Sequence, residues 1–288
     1  MATGTAEHID ATTADAYIGE IWSMTTLNAR EAKLVFAGLV NRQFEDDLTF
    51  GDTIHVGSIT NLSSQTKDRS ANAATIFETV TESNTNITVS TWQYSAVAIE
   101  TATKVQTTMD LMAKYAPKQG YALALAIDDV LAGLVDDFST SVGALLAALQ
   151  YTDITEARQK LDDANAPMED RHLVVSPKAE REFMNIDHYV HRDYDILHPD
   201  QRAGAADRGF LGSWLEFGVW KSTNVEGSNA AGHDNGAFQR EALALVVQMN
   251  PTTHLQFDIN YLANKAVVEQ LYGSAEMRDD HGVYLPGP

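Results

Sequence analysis

The chain contains no cysteine, which excludes disulfides, thiolate metal sites and cysteine nucleophiles together. That absence fits a protein made in a reducing compartment and leaves its stability to packing and association. Basic residues are also scarce, 20 Lys and Arg against 40 Asp and Glu, for a formal net charge of -20. The acidic excess runs the whole length, with no basic tail or stripe; Lys67 and Arg69 come nearest to one. Nucleic-acid readers displace phosphate counterions with clustered Lys and Arg, so sequence-specific DNA or RNA binding is not expected. Apolar runs are short as well, none reaching the roughly 18 uncharged residues of a membrane span. Met1 to Glu7 has neither a basic start nor an apolar core, so neither a targeting signal nor a membrane segment is expected.

Recognised catalytic patterns are missing in turn. No Walker pattern and no Gly-x-Gly-x-x-Gly turn occurs, and Gly209-Phe210-Leu211-Gly212 is aromatic and lacks the lysine. Ser176 precedes Pro177 at a strand end without the Gly-x-Ser-x-Gly elbow that exposes a nucleophile, and reads as a turn. His188 and His191, three apart beside Asp193, have a spacing that suits a metal, but the glutamate of a zincin motif is absent and the segment alternates like a solvated surface. The pairs Asp128/Asp129, Asp136/Asp137 and Asp162/Asp163 are candidates for a divalent cation or an acid/base couple. Adjacent helical residues point about 100° apart, so solvated helix edges are the better reading. No catalytic, cofactor-binding or metal residue is assigned, no cofactor is expected, and the chain reads as a non-enzyme.

What is present is ample material for a fold. A chain of 288 residues, 44% hydrophobic and 21% charged, has globular composition, and a chain of that size buries about 75% of its unfolded surface. Roughly the first fifteen residues are polar and Thr/Ala-rich, as in an arm with no core of its own. Leu34, Val35, Leu39 and Val40, after Glu31, predict a short amphipathic helix over about 28–42. Ile54 and Val56 mark one strand and Ile87 and Val89 a second; a one-residue parity shift at Trp92 and Tyr94 indicates a bulge or bend. Between the two strands, residues 60–75 are polar and long for a structureless connection inside a compact domain. Residues 50–100 are therefore read as an extended hairpin projecting from the body.

From Thr103 to Phe138 the period is helical, with Leu123, Ile127, Val130, Leu131, Leu134 and Phe138 on one stripe and the aspartates mostly off it. Pro117 and Gly120 predict a break near Ala116. Residues 152–225 read as an α/β lobe: a helix from Thr152, a buried strand at His172–Ser176, and a helix from Pro177 to Phe183. Gly204–Gly218 is predicted as a glycine-punctuated loop and Asn224–Gly236 as a flexible turn region. Leu255, Phe257, Ile259 and Tyr261 alternate with polar residues, a strand with one buried and one wet face. Strand-like pieces near Glu276–Arg278 and Val283–Leu285 flank a turn at Asp279–Gly282. Of Trp22, Trp92, Trp214 and Trp220, most are expected to pack internally, with Trp22 anchoring the arm to another subunit.

Arm, hairpin, long helix, α/β lobe and returning strands, in that order, resemble the tailed-phage major capsid family with the Hong Kong 97-type α+β fold. Local text carries the likeness: Ile18-Gly19-Glu20-Ile21-Trp22-Ser23, Gly51-Asp52-Thr53-Ile54-His55-Val56, Leu173-Val174-Val175-Ser176-Pro177 and Leu271-Tyr272-Gly273-Ser274-Ala275-Glu276-Met277-Arg278. The resemblance implies an N-terminal arm at 1–50, an extended loop at 51–100, a peripheral domain with a spine helix at 101–150 and 240–288, and an axial domain at 151–239. It implies that copies associate as pentamers and hexamers in an icosahedral shell, assembled in the host cytoplasm and found in the virion. The partners implied are a scaffolding protein, a portal, a decoration protein and double-stranded DNA enclosed without sequence-specific binding. Subunit-contact candidates are Trp22, Gln65, Lys67, Asp68 and Arg69. Some members cross-link through a loop lysine; Lys67 lies in that region, but no matching asparagine and catalytic acid is identifiable, so a surface charge or an ion-pair partner is the reading taken. An encapsulin-type nanocompartment and a soluble metal-dependent enzyme are the alternatives.

Overall fold

A computed structural model describes residues 34–46, 50–59, 62–67, 74, 75, 77–80, 82–106, 111–186, 189 and 210–288. Trp22, Asp68, Arg69, His188 and His191 lie outside the described residues, as does the part of the expected first helix before Leu34. In chain order the elements begin with strands β1 (Thr53–Ile59), β2 (Glu82–Thr88) and β3 (Thr91–Glu100), then helices α1 (Thr101–Gln106), α2 (Leu111–Ala132) and α3 (Tyr151–Asp163). Strand β4 (Arg171–Val175) and helix α4 (Pro177–Phe183) follow, then β5 (Phe210–Trp214), β6 (Phe217–Lys221), β7 (Gly227–Ser228) and β8 (Gly232–Gln239). Strands β9 (Leu243–Asp258), β10 (Ala263–Glu276) and β11 (Gly282–Gly287) complete the chain.

Among the described residues the strands form three sheets: the antiparallel pair β1-β2, the antiparallel trio β3-β10-β9, and a mixed sheet ordered β11-β8-β4-β6-β5 with β7 against β8. The arrangement is α+β, as expected. In the mixed sheet β4 is central and buried on both faces, which is why it reads as a continuous apolar run. Leu173 and Val175 point into a core with Ile154, Ala157 and Leu161 of α3 and Ala179 and Phe183 of α4. Val174 points the other way, into a second core with Leu131, Val135 and Phe138 from the end of α2 and beyond. Ser176 ends the strand and caps α4, its side chain accepting from the Ala179 N–H at 3.2 Å with Pro177 in the first turn. A cap of this kind contributes about 1 kcal/mol. The structural reading of Ser176 holds.

Several expectations are corrected. Residues 34–42 contain only a 3-10 turn, Phe36–Gly38, because their amides bond elsewhere. Val35, Phe36 and Ala37 donate to Asp128, and Asn41 pairs its backbone with Leu243 and Leu245 of β9. Helix α2 runs unbroken through Pro117 and Gly120. Gln119, two residues past the proline, donates to the Ser95 and Ala266 carbonyls and fastens that turn to the β3-β10-β9 sheet. The helix stops at Ala132, so Phe138 reaches the core from a turn instead of a helical stripe. Residues 210–218 form the β5-β6 hairpin, and 232–236 lie in β8, where Asn235 is wholly buried and bonds Ser176, His233 and Leu285. Backbone pairing to neighbouring strands overrides glycine content in both places. The parity shift at Trp92 marks a change of sheet: β2 pairs with β1, whereas β3 pairs with β10.

Candidate assembly surfaces

The β1-β2 hairpin is fixed to the body at its root. Ile87 and Val89 pack on Ala244 and Val246, flanked by Ile54, Val56, Leu271 and Met277. The Val89 N–H donates to the Asp52 carbonyl at 2.7 Å, and the Gln248 amide donates to the Gly51 carbonyl at 2.9 Å. Here β2 crosses β10 at Gly273, where any Cβ would strike the Thr88 carbonyl and lie 2.9 Å from Val89 Cα. Only glycine permits that approach.

Past the paired register, which ends at Ile59 opposite Glu82, the two limbs are drawn together by one carboxylate. Glu78 accepts from the Ser63 N–H at 2.9 Å, from the Ser63 hydroxyl, and from Gln65 Nε2 at 3.0 Å. Those bonds, the Ser63 hydroxyl first, hold its pKa below the usual carboxylate range. Phe77 (89% exposed), Leu62 and Val80 lie bare along the same limbs. Gln65 and Lys67 are exposed there too, Gln65 within the Glu78 cluster. A polar cleft of about 780 Å³ separates the hairpin's Val56, Ser58 and Ser83 from Glu241, Arg278 and Asp280 on the body.

The β3-β10-β9 sheet presents a second bare surface. Trp92 (68% exposed) and Tyr94 (71%) stand on β3 opposite Leu271 and Glu269 of β10. This corrects the internal packing expected for Trp92. Its indole N–H donates to Glu269 at 2.9 Å, and Glu269 also meets His254 of β9 at 2.9 Å, so the polar edge is satisfied while the ring faces solvent. Trp214 is buried as expected, and Trp220 is half-buried beside His172 and Phe210. Helix α2 covers the opposite face, where Gln270 donates to the Leu123 carbonyl at 2.9 Å. It leaves the edge strand uncovered, so both faces of the distal part of β9 are exposed, including Leu255 (70%) and Phe257. Ile259 and Tyr261 lie past the strand end and are exposed as well. This corrects the half-buried strand read from their alternation. A cleft of about 290 Å³ separates Leu255 and Phe257 from Lys104 and Leu111.

Two acidic features were not foreseen. Asp128, read as a solvated helix edge, is fully buried. Its Oδ1 accepts from the N–H groups of Val35 (3.1 Å), Phe36 (2.8 Å) and Ala37 (3.4 Å), and its Oδ2 from Asn224 Nδ2 (2.9 Å). Burial raises its pKa and these bonds oppose the rise. At the junction of β10 with β11, Glu276 is pushed up to about 7 by burial first, then by Asp279 and Asp137. Asp279 is held low by Ser139, whose N–H donates to it at 2.7 Å and whose hydroxyl donates as well. Asp162 is an ion-pair partner, 2.7 Å from the buried Arg171 guanidinium. Among the described residues no three His, Asp or Glu side chains are placed to hold a metal.

No protein-family model matches the sequence, and neither does any curated protein. Solved structures do. The chain superimposes on one from Mycobacterium phage Che8 with a TM-score of 0.76 at 22% identity, covering 93% of this chain and 97% of that one. It matches the capsid of cyanophage P-SCSP1u with a TM-score of 0.74 at 16% identity, covering 96% and 94%. The chain has the phage-capsid fold. The mature capsid of bacteriophage PhiM1 agrees, with a TM-score of 0.69 at 15% identity over 93% and 91% of the two chains. At these identities the likeness is one of fold, and it bears out at that level the resemblance read from the order of elements. Among the described residues, no helix is long and apolar enough to cross a membrane.

Proposed function

We propose that this chain is the major capsid protein of a tailed phage, a subunit that associates with copies of itself into an icosahedral shell around double-stranded DNA. The observation that carries the proposal is the phage-capsid fold along nearly the whole chain, on a subunit whose hairpin and outward sheet are left bare. Large apolar side chains such as Phe77, Trp92, Tyr94 and Leu255 each gain about 1.5–3 kcal/mol when fully buried, so covering them with neighbouring copies drives association. The named neighbours are phage structures, which favours a virion shell over a nanocompartment. Residues 1–50 serve as the arm, 51–100 as the extended loop, 101–150 with 240–288 as the peripheral domain, and 151–239 as the axial domain. Trp22, Gln65, Lys67, Asp68 and Arg69 are the residues assigned to subunit contacts. A scaffolding protein, a portal and a decoration protein are its further partners, with assembly in the host cytoplasm. Its acidic surface suits a container, since weak affinity for DNA keeps the genome from adhering to the wall.

Purified full-length chain is expected to form pentamers, hexamers or shells by light scattering and electron microscopy. A strictly monomeric species, in several salts and with the scaffold present, would refute the reading. Deleting Asn61 to Ser70 is expected to spare the subunit fold and block closure; normal shells from that variant would remove the loop from the assembly mechanism.

A further inference from the structure

Asp128 is an anomaly in energetic terms. It occupies a fully buried position on α2 among Val35, Leu131, Ala132 and Val225, where an apolar side chain would pack without a desolvation cost. Burying a carboxylate costs several kcal/mol unless its oxygens are satisfied. Here both are satisfied, and by segments distant in sequence. Three consecutive amides, Val35 to Ala37, converge on Oδ1, while Asn224, between β6 and β7, donates to Oδ2.

The side chains of Val35, Phe36, Leu39 and Val40 are buried in the same core, so apolar packing holds the segment as a whole and the carboxylate fixes its backbone amides. Residues 34–46 contain one 3-10 turn and a single bridge, at Asn41 to β9. Among the described residues, Asp128 and β9 are thus two polar fastenings of this segment, one at Val35 to Ala37 and one at Asn41.

We propose that the Asp128 carboxylate is a positioning residue, a three-way latch that fixes the backbone of Val35 to Ala37 and couples it to α2 and to the β6-β7 connection. Charge-assisted bonds are about twice as strong as neutral ones, which makes an ionised carboxylate a better latch than an amide. The consequence for a shell rests on the capsid reading: a loosened backbone at Val35 to Ala37 disturbs how this segment meets neighbouring copies, giving shells of mixed size or none. The latch itself belongs to the subunit and is tested there.

The test is hydrogen exchange on the full-length, unassembled subunit, with electron microscopy of assembly as a second readout. Asp128→Asn is expected to speed exchange at Val35 to Ala37 by about tenfold while the far-ultraviolet circular dichroism stays unchanged. Asn224→Ala, at a half-buried site that leaves the carboxylate in place, tests the coupling. It is expected to speed exchange at Ser222 to Val225 and also, about threefold, at Val35 to Ala37. The double variant Asp128→Asn with Asn224→Asp restores a donor and acceptor between the two positions, so Ser222 to Val225 is expected to recover while Val35 to Ala37 stays fast. Unchanged exchange at Val35 to Ala37 in both single variants, or an Asn224→Ala effect confined to its own loop, would overturn the latch. A wild-type chain that never assembles would refute the capsid reading and leave these exchange results interpretable.

Discussion

Replacing Glu276 with Gln is expected to stabilise the protein in alkaline solution and leave it nearly unchanged in acid. The carboxyl lies at the end of β10, facing Asp279 and Asp137, with one oxygen buried and unpartnered. Its pKa rises from 4.5 to about 7. A carboxyl raised in the folded state costs nothing below its unfolded pKa, where both states hold the proton. The cost grows as pH climbs from 4.5 towards 7 and is complete above that. One pKa unit corresponds to about 1.4 kcal/mol, which sets a ceiling of about 3 kcal/mol here. Solvent screening of this partly exposed cluster reduces it to about 1–2 kcal/mol. Glutamine keeps the shape, can donate to Asp279 as the protonated acid does, and never ionises. Its melting temperature should exceed that of the parent by about 2–6 °C near pH 8.5, with the gain vanishing near about pH 4.5. Calorimetry of the unassembled subunit across that range is the assay. An equal gain at both ends, or a loss in alkali, would refute the argument that ionising the partly buried Glu276, beside Asp279 and Asp137, limits stability in alkali.

Two further outcomes follow from single residues. Gly273→Ala should cost about 2–3 kcal/mol in chemical denaturation and expose the hairpin to protease, because its Cβ meets the Thr88 carbonyl; unchanged stability would mean that β2 does not cross β10 there. His172 has its pKa depressed to about 4 by burial first, with Nδ1 unpartnered between Trp220 and Phe238. Its neutral form is favoured in the fold, so stability is full above 6.5 and falls as pH drops towards 4. His172→Phe should remove about 2 kcal/mol of that acid sensitivity, and an acid limb identical to that of the parent would exclude His172 as its source.

Local rules were enough wherever one segment's own residues decided its state. The β4 strand, the Ser176-Pro177 cap of α4, the start of α3 and the β1-β2 pairing were all legible, because apolar runs, capping residues and alternation act over a few positions. The order of these elements also sufficed to indicate the fold that the solved phage structures share. Elsewhere distant partners decided. Leu34 to Val40 carried a helical spacing, yet Asp128 took the amides of Val35 to Ala37 and β9 that of Asn41. Leu255 and Phe257 carried a buried-face alternation, yet α2 stops short of the edge strand and leaves them bare. Asp128 itself was indistinguishable from its exposed neighbour Asp129, since an acid on a helix becomes a latch or a wetted edge according to what packs against it. By itself the sequence determined the chemistry the protein lacks and the succession of its elements. Only the tertiary structure decided which polar groups are buried and which apolar ones are exposed, because burial depends on segments far apart in the chain.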